Sequence, residues 1–109
     1  MSDELSVLRA RIEQVDASFV ALIAERQQLA HSVGRHKRLR GLPVIDPARE
    51  AAVITRAGML ARDAGLPEDH VRALFRQLVA LSRRAQSSND PVAAPRCSGT
   101  EPDARGPAT

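Results

Sequence analysis

Arg26 carries a fixed charge at a position that asks for none. Leu5, Leu8, Ile12, Val15, Phe19, Leu22, Arg26, Leu29 and Val33 succeed one another at steps of three and four, the a and d spacing of a helical seam. A guanidinium does not deprotonate, so on a buried seam it needs an anion, from a carboxylate elsewhere in the protein or from a ligand. Lys37 follows eleven residues later, almost a whole number of turns, so the two project from nearly one side about 16 Å apart along the axis. Two long cationic side chains so placed could grip opposite ends of a small dianion. Asp46, Arg49 and Glu50 cluster where a further helix begins, and Ser82 and Gln86 add neutral hydrogen-bonding groups one turn apart on the last helical stretch. Each has a plainer reading. Arg26 could pair internally, Lys37 could be solvated among Arg35, His36 and Arg38, Asp46 could be a helix cap, and Ser82 could bond a carbonyl of its own helix.

Other chemistries find little support. His31, His36 and His70 have no metal-ligand spacing, so no metal is expected. There is no glycine-rich phosphate loop and no nucleophile partnered by a base. The single cysteine, Cys97, excludes an intrachain disulfide or a cysteine-built zinc site and suits a reduced, cytoplasmic setting. No run of about 18 apolar residues offers a membrane span, and the acidic start, Met1-Ser2-Asp3-Glu4, does not resemble a secretory signal. The net charge of +3 is weak support for nucleic-acid binding.

The elements that must position these residues are helices. With two Phe and no Tyr or Trp in 109 residues, the core is aliphatic. The first helix is expected from near Ser2 or Asp3, with Asp3 and Glu4 in its first turn, to just before Gly41. Gly34 lies within it at a cost of about 1 kcal/mol relative to Ala. A helix of that length, about 55 Å, cannot be covered by a chain whose compact radius of gyration would be about 13 Å. The seam therefore predicts a homodimer. Asp46 followed by Pro47 reads as cap and first turn of a second helix, running to about Ala64 with Val53, Ile54, Ala57, Leu60, Ala61 and Ala64 on one face; Gly65 ends it. Pro67, Glu68 and Asp69 open a third, with Val71, Leu74, Phe75, Leu78, Leu81 and Ala85 as its apolar face. The fold class is all-α, with one very long N-terminal helix and two shorter ones per chain. Residues 1–87 form the domain. Residues 88–109, rich in Pro, Gly, Ser and Ala, read as a disordered tail.

Taken in order, the segments Leu8-Arg9-Ala10-Arg11-Ile12, Val15-Asp16, Ala24-Glu25-Arg26 and Val33-Gly34-Arg35-His36-Lys37 resemble the first helix of the all-helical (AroQ-type) chorismate mutases. Residues 43–50 resemble that family's loop and second-helix start, and Leu74-Phe75 with Ser82 and Gln86 its third helix. The likeness spans roughly residues 5–87 without gaps. It implies an intertwined homodimer with two active sites built from both chains, and the Claisen rearrangement of chorismate to prephenate, on the route to phenylalanine and tyrosine, with no cofactor. It implies that Arg26, and Arg9 of the partner subunit, bind the substrate carboxylates. Ser82 assists at the ring carboxylate and Arg49 supports the charged cluster. Lys37 and Gln86 donate to the ether oxygen, and Glu50, with Asp46 near it, receives the ring hydroxyl. One departure is Arg83, where the family pattern has an apolar neighbour to Ser82.

Within the same fold, isochorismate pyruvate lyases and aminodeoxychorismate mutases are alternatives, but relatives of those kinds lack the acidic residue that Glu50 supplies. A mutase switched on by another shikimate-pathway enzyme is a further alternative, against which the complete residue set speaks. A basic helical dimer binding nucleic acid through residues 35–40 is disfavoured, since there are no aromatics to stack on bases and such a protein has no use for Arg26 on the seam. Arg9, Lys37 and Arg49 add to the charge of Arg26 rather than neutralising it. That surplus of cation points to an anion from outside.

Overall fold

The computed structural model describes residues 3–88 and is all-helical there, with α1 at Glu4–Leu39, α2 at Pro47–Asp63 and α3 at Glu68–Ser87. The expected tail lies outside the described residues except for Ser88, whose extended backbone leaves α3. The helix boundaries follow local chemistry. Asp3 occupies the N-cap position of α1, one residue before the helix, without a side-chain cap bond. At the other end Gly41 takes φ +69, and the N–H groups of Gly41 and Leu42 close back onto the carbonyls of Arg38 and Lys37. The same paired closure ends α2, where Gly65 at φ +75 and Leu66 donate to Arg62 and Ala61. Glycine suits both positions because a left-handed residue with a Cβ is strained. Asp46 caps α2, its Oδ1 accepting from the Arg49 N–H at 3.1 Å, with Pro47 in the first turn.

Helix α3 packs on both α1 and α2, which do not pack on each other among the described residues. The contacts are made by small side chains: Ala30 and Gly34 on α1, Ala57, Gly58 and Ala61 on α2, Val79 and Ser82 on α3. Gly34 meets α3 closely enough that a Cβ there would fall 2.1 Å from the Gln86 carbonyl oxygen. Its helix-propensity cost is the condition for that approach. At the α2–α3 corner Glu68 bonds both Arg62 and Arg72, and the Arg62 hydrogen bond is the main cause holding its carboxyl below the ordinary value.

The expected face of α3 is met in part: Val71, Phe75, Leu78 and Ala85 are half-buried, but the most buried edge lies to one side of it. Val79 and Ser82 are buried, whereas Leu74 and Leu81 are exposed in the single chain. On α2, Ala57 and Ala61 are buried but Leu60 is exposed. Apolar periodicity groups residues on a face without saying which edge of it meets a neighbour.

No large side chain is fully buried among the described residues. All eight apolar seam residues of α1 are 44–62% exposed, and the radius of gyration is 17.2 Å, against about 13 Å for a compact chain of 100 residues. The chain leaves its longest apolar surface uncovered. None of the helices described is long and apolar enough to cross a membrane.

Candidate active site

Between the three helices lies a cavity of about 480 Å³ lined by Arg26, Leu29, Ala30, Val33 and Lys37 of α1, Asp46 and Arg49, Glu50 and Val53 at the start of α2, and Val79, Ser82 and Gln86 of α3. Seven of the eight side chains singled out from the sequence therefore share one cavity. The eighth, Arg9, is exposed on α1, seventeen residues before Arg26 and so about 26 Å away along the axis. A chain does not bring its own Arg9 to this cavity.

Arg26 is half-buried, and the partners of its guanidinium are neutral. Nη1 donates to Ser82 Oγ and, at 3.4 Å, to the Leu78 carbonyl. The guanidinium lies 6.0 Å from the centroid of the Phe75 ring, a cation–π distance. Ser82 also donates back to the Leu78 carbonyl at 3.0 Å, as a serine within a helix does, but it is buried and meets Arg26 as well. Among the described residues no carboxylate forms an ion pair with Arg26. The internal-pairing option from the sequence is thus not realised there, and the charge remains available to an anion in the cavity.

Lys37 is not simply solvated. Its Nζ donates to the Val44 carbonyl at 3.0 Å and to Gln86 Oε1 at 3.1 Å. With Oε1 so engaged, the Gln86 amide nitrogen keeps its two N–H donors for another acceptor, and Lys37 keeps a third. Gln86 is placed by contacts the sequence reading passed over. Arg38 spans the C-terminal end of α3, donating to the carbonyls of Gln86 at 2.5 Å and Ser88 at 3.2 Å, where helix carbonyls lack partners and a cation is favoured. Gly34 sets the close approach just described. Arg38 had looked like one member of a basic run, and only its tertiary placement distinguishes it.

Asp46 serves twice, as the cap that fixes the start of α2 and as part of the cavity wall. Glu50, four residues on, forms a bidentate ion pair with Arg83, Nη2 to Oε1 at 2.5 Å and Nε to Oε2 at 3.2 Å. Its carboxyl is held below the ordinary value first by the Arg83 hydrogen bond, with further help from the Arg83 and Lys37 charges, against opposition from desolvation and from the Asp46 charge. Arg83 thus does not turn away from the site wall: it grips the carboxylate that forms it.

The result is an all-helical cradle that presents the cations Arg26, Lys37 and Arg49, the carboxylates Asp46 and Glu50, and amide and hydroxyl groups from Gln86 and Ser82, a set suited to holding a small anion. The sequence model of the family described as chorismate mutase type II matches residues 8–87, and the chain belongs to this family of isomerases of aromatic amino acid biosynthesis. The chain is 30% identical over 86 residues to a chorismate mutase of Methanocaldococcus jannaschii, covering 79% of this chain and 87% of that protein. It is 32% identical over 87 residues to a T-protein of Enterobacter agglomerans, covering 80% of this chain and 23% of that longer protein. A 4-amino-4-deoxychorismate mutase of Streptomyces pristinaespiralis is 29% identical over 85 residues, with 78% and 66% covered.

Proposed function

We propose that this chain catalyses the rearrangement of chorismate to prephenate as a homodimer, with each site completed by the other chain. The observation that carries the reading is the convergence of Arg26, Lys37, Asp46, Arg49, Glu50, Ser82 and Gln86 on one cavity. A one-substrate pericyclic reaction needs no base or nucleophile. It needs its substrate folded with the reacting carbons in contact, and it needs the ether oxygen stabilised as negative charge grows there.

Arg26 binds one substrate carboxylate, with Ser82 assisting at the ring carboxylate and Arg49 reinforcing the positive field at the cavity edge. Arg9 of the partner subunit supplies the second carboxylate contact. Pinning both carboxylates fixes the folded conformer. Lys37 and the Gln86 amide donate to the ether oxygen, an interaction that strengthens as the C–O bond breaks and so lowers the barrier rather than merely tightening binding. Glu50, beside Asp46, accepts the ring hydroxyl. The acidic residue that Glu50 supplies, which by the resemblance the amino relatives lack, supports the hydroxyl-bearing substrate for this chain. A reduced, cytoplasmic setting belongs to the same reading.

The test is direct. Purified chain, with no other protein added, is expected to consume chorismate, followed as loss of its ultraviolet absorbance, and to form prephenate. A folded dimer that leaves chorismate untouched overturns the reading.

A further inference from the structure

We infer that Arg83, which does not line the cavity, is a specificity-determining and positioning residue that makes Glu50 a receptor for a neutral hydroxyl and not for a ring ammonium. The inference rests on the mutase reading and deepens it. Sequence pattern alone gave Arg83 no partner, since the two residues are 33 positions apart on different helices. In the fold Arg83 reaches from α3 to Glu50 near the start of α2 and engages both carboxylate oxygens. A two-bond fork fixes the plane of a carboxylate where a single contact would let it swing.

The consequence is electrostatic as well as geometric. Each carboxylate oxygen keeps a lone pair after the fork forms, so a hydroxyl can still donate to it. A substrate ammonium at the same place would share its counter-ion with a guanidinium already seated there, and two cations on one carboxylate repel. Without Arg83 the carboxylate would be free to pair with an ammonium. The other charged groups acting on Glu50 are Lys37 from α1, which also favours its ionised form, and Asp46 before α2, which opposes it. Arg83 is the largest of these influences and the one that touches Glu50 directly.

The experiment measures kcat/KM for chorismate and for 4-amino-4-deoxychorismate in the parent, Arg83→Leu, Arg83→Lys and the Glu50→Gln background. The parent is expected to prefer the hydroxyl substrate. Arg83→Leu should narrow that preference at least about tenfold, and Arg83→Lys should restore part of it. In Glu50→Gln the same leucine change should no longer alter the preference, because the effect passes through the carboxylate. The acid limb of kcat/KM for chorismate should also move to higher pH in Arg83→Leu, since the largest influence that lowers the Glu50 pKa is gone and Lys37 alone remains to favour the ionised form. An active parent whose substrate ratio and acid limb are unchanged by Arg83→Leu overturns this inference and leaves the mutase reading standing. A folded parent that turns over neither substrate overturns both.

Discussion

The Lys37–Gln86 contact assigns a direction to each of these two groups on the cavity wall. Lys37 can only donate, so the oxygen of the Gln86 amide faces it at 3.1 Å and the amide nitrogen is left to face elsewhere. A glutamate in place of Gln86 would offer Lys37 the same acceptor but, while ionised, no donor for an ether oxygen. Gln86→Glu should therefore lose about a hundredfold or more in kcat near neutral pH, the scale of removing one donor from a developing oxyanion. Activity should rise as the pH falls, because only the protonated carboxyl donates. Lys37 beside the new carboxyl would favour its ionised form and push that recovery further into acid. Initial rates across a pH series, parent against variant, check this; matching profiles would remove Gln86 from the reacting oxygen.

Between elements, the α1–α3 contact shows why a residue that weakens a helix can strengthen a fold. Ala at position 34 would improve helix propensity by about 1 kcal/mol, yet its Cβ would sit 2.1 Å from the Gln86 carbonyl, backbone that cannot swing aside. Overpacking costs about 1–3 kcal/mol in favourable cases and more when the obstacle is rigid. Gly34→Ala should thus be net destabilising by about 1–2 kcal/mol in denaturant unfolding, and should lower kcat by displacing Gln86; a more stable variant would show that the helices separate freely. Much of this architecture was legible beforehand, because its signals are local. The seam is a spacing, the start of α2 is Asp46 with Pro47, and the helix ends are Gly41 and Gly65. Arg26 was legible as a charge on an apolar seam, Asp46, Arg49 and Glu50 as a charged cluster at a helix start, and Ser82 and Gln86 as polar groups one turn apart, with the family resemblance joining them into one set. What stayed hidden depends on which face meets which: Val79 buried where Leu74 and Leu81 are exposed, Gly34 as a contact, Arg38 across the end of α3, and the pairing of Arg83 with Glu50.

At the scale of the whole molecule, α1 is the problem and its solution. Its eight apolar seam residues are 44–62% exposed, a continuous strip that a water-exposed helix does not sustain alone. The same strip holds Arg26, whose guanidinium faces Ser82 and the Phe75 ring on α3. A second copy laid along the seam would cover the strip and could carry an Arg9 toward the cavity that the chain's own Arg9, about 26 Å up the helix, does not reach. This separates two ways in which Arg9 could matter. If it acts across the dimer, Arg9→Ala and Arg26→Ala homodimers are each inactive, but a mixture unfolded and refolded together regains activity. In the mixed dimer one site takes its Arg26 from the first chain and its Arg9 from the second, while the other site lacks both. Random pairing makes half the dimers mixed, with one intact site in each, so about a quarter of the parent's activity should return. If Arg9 acts within its own chain, no site in any dimer is intact and the mixture stays as inactive as its components.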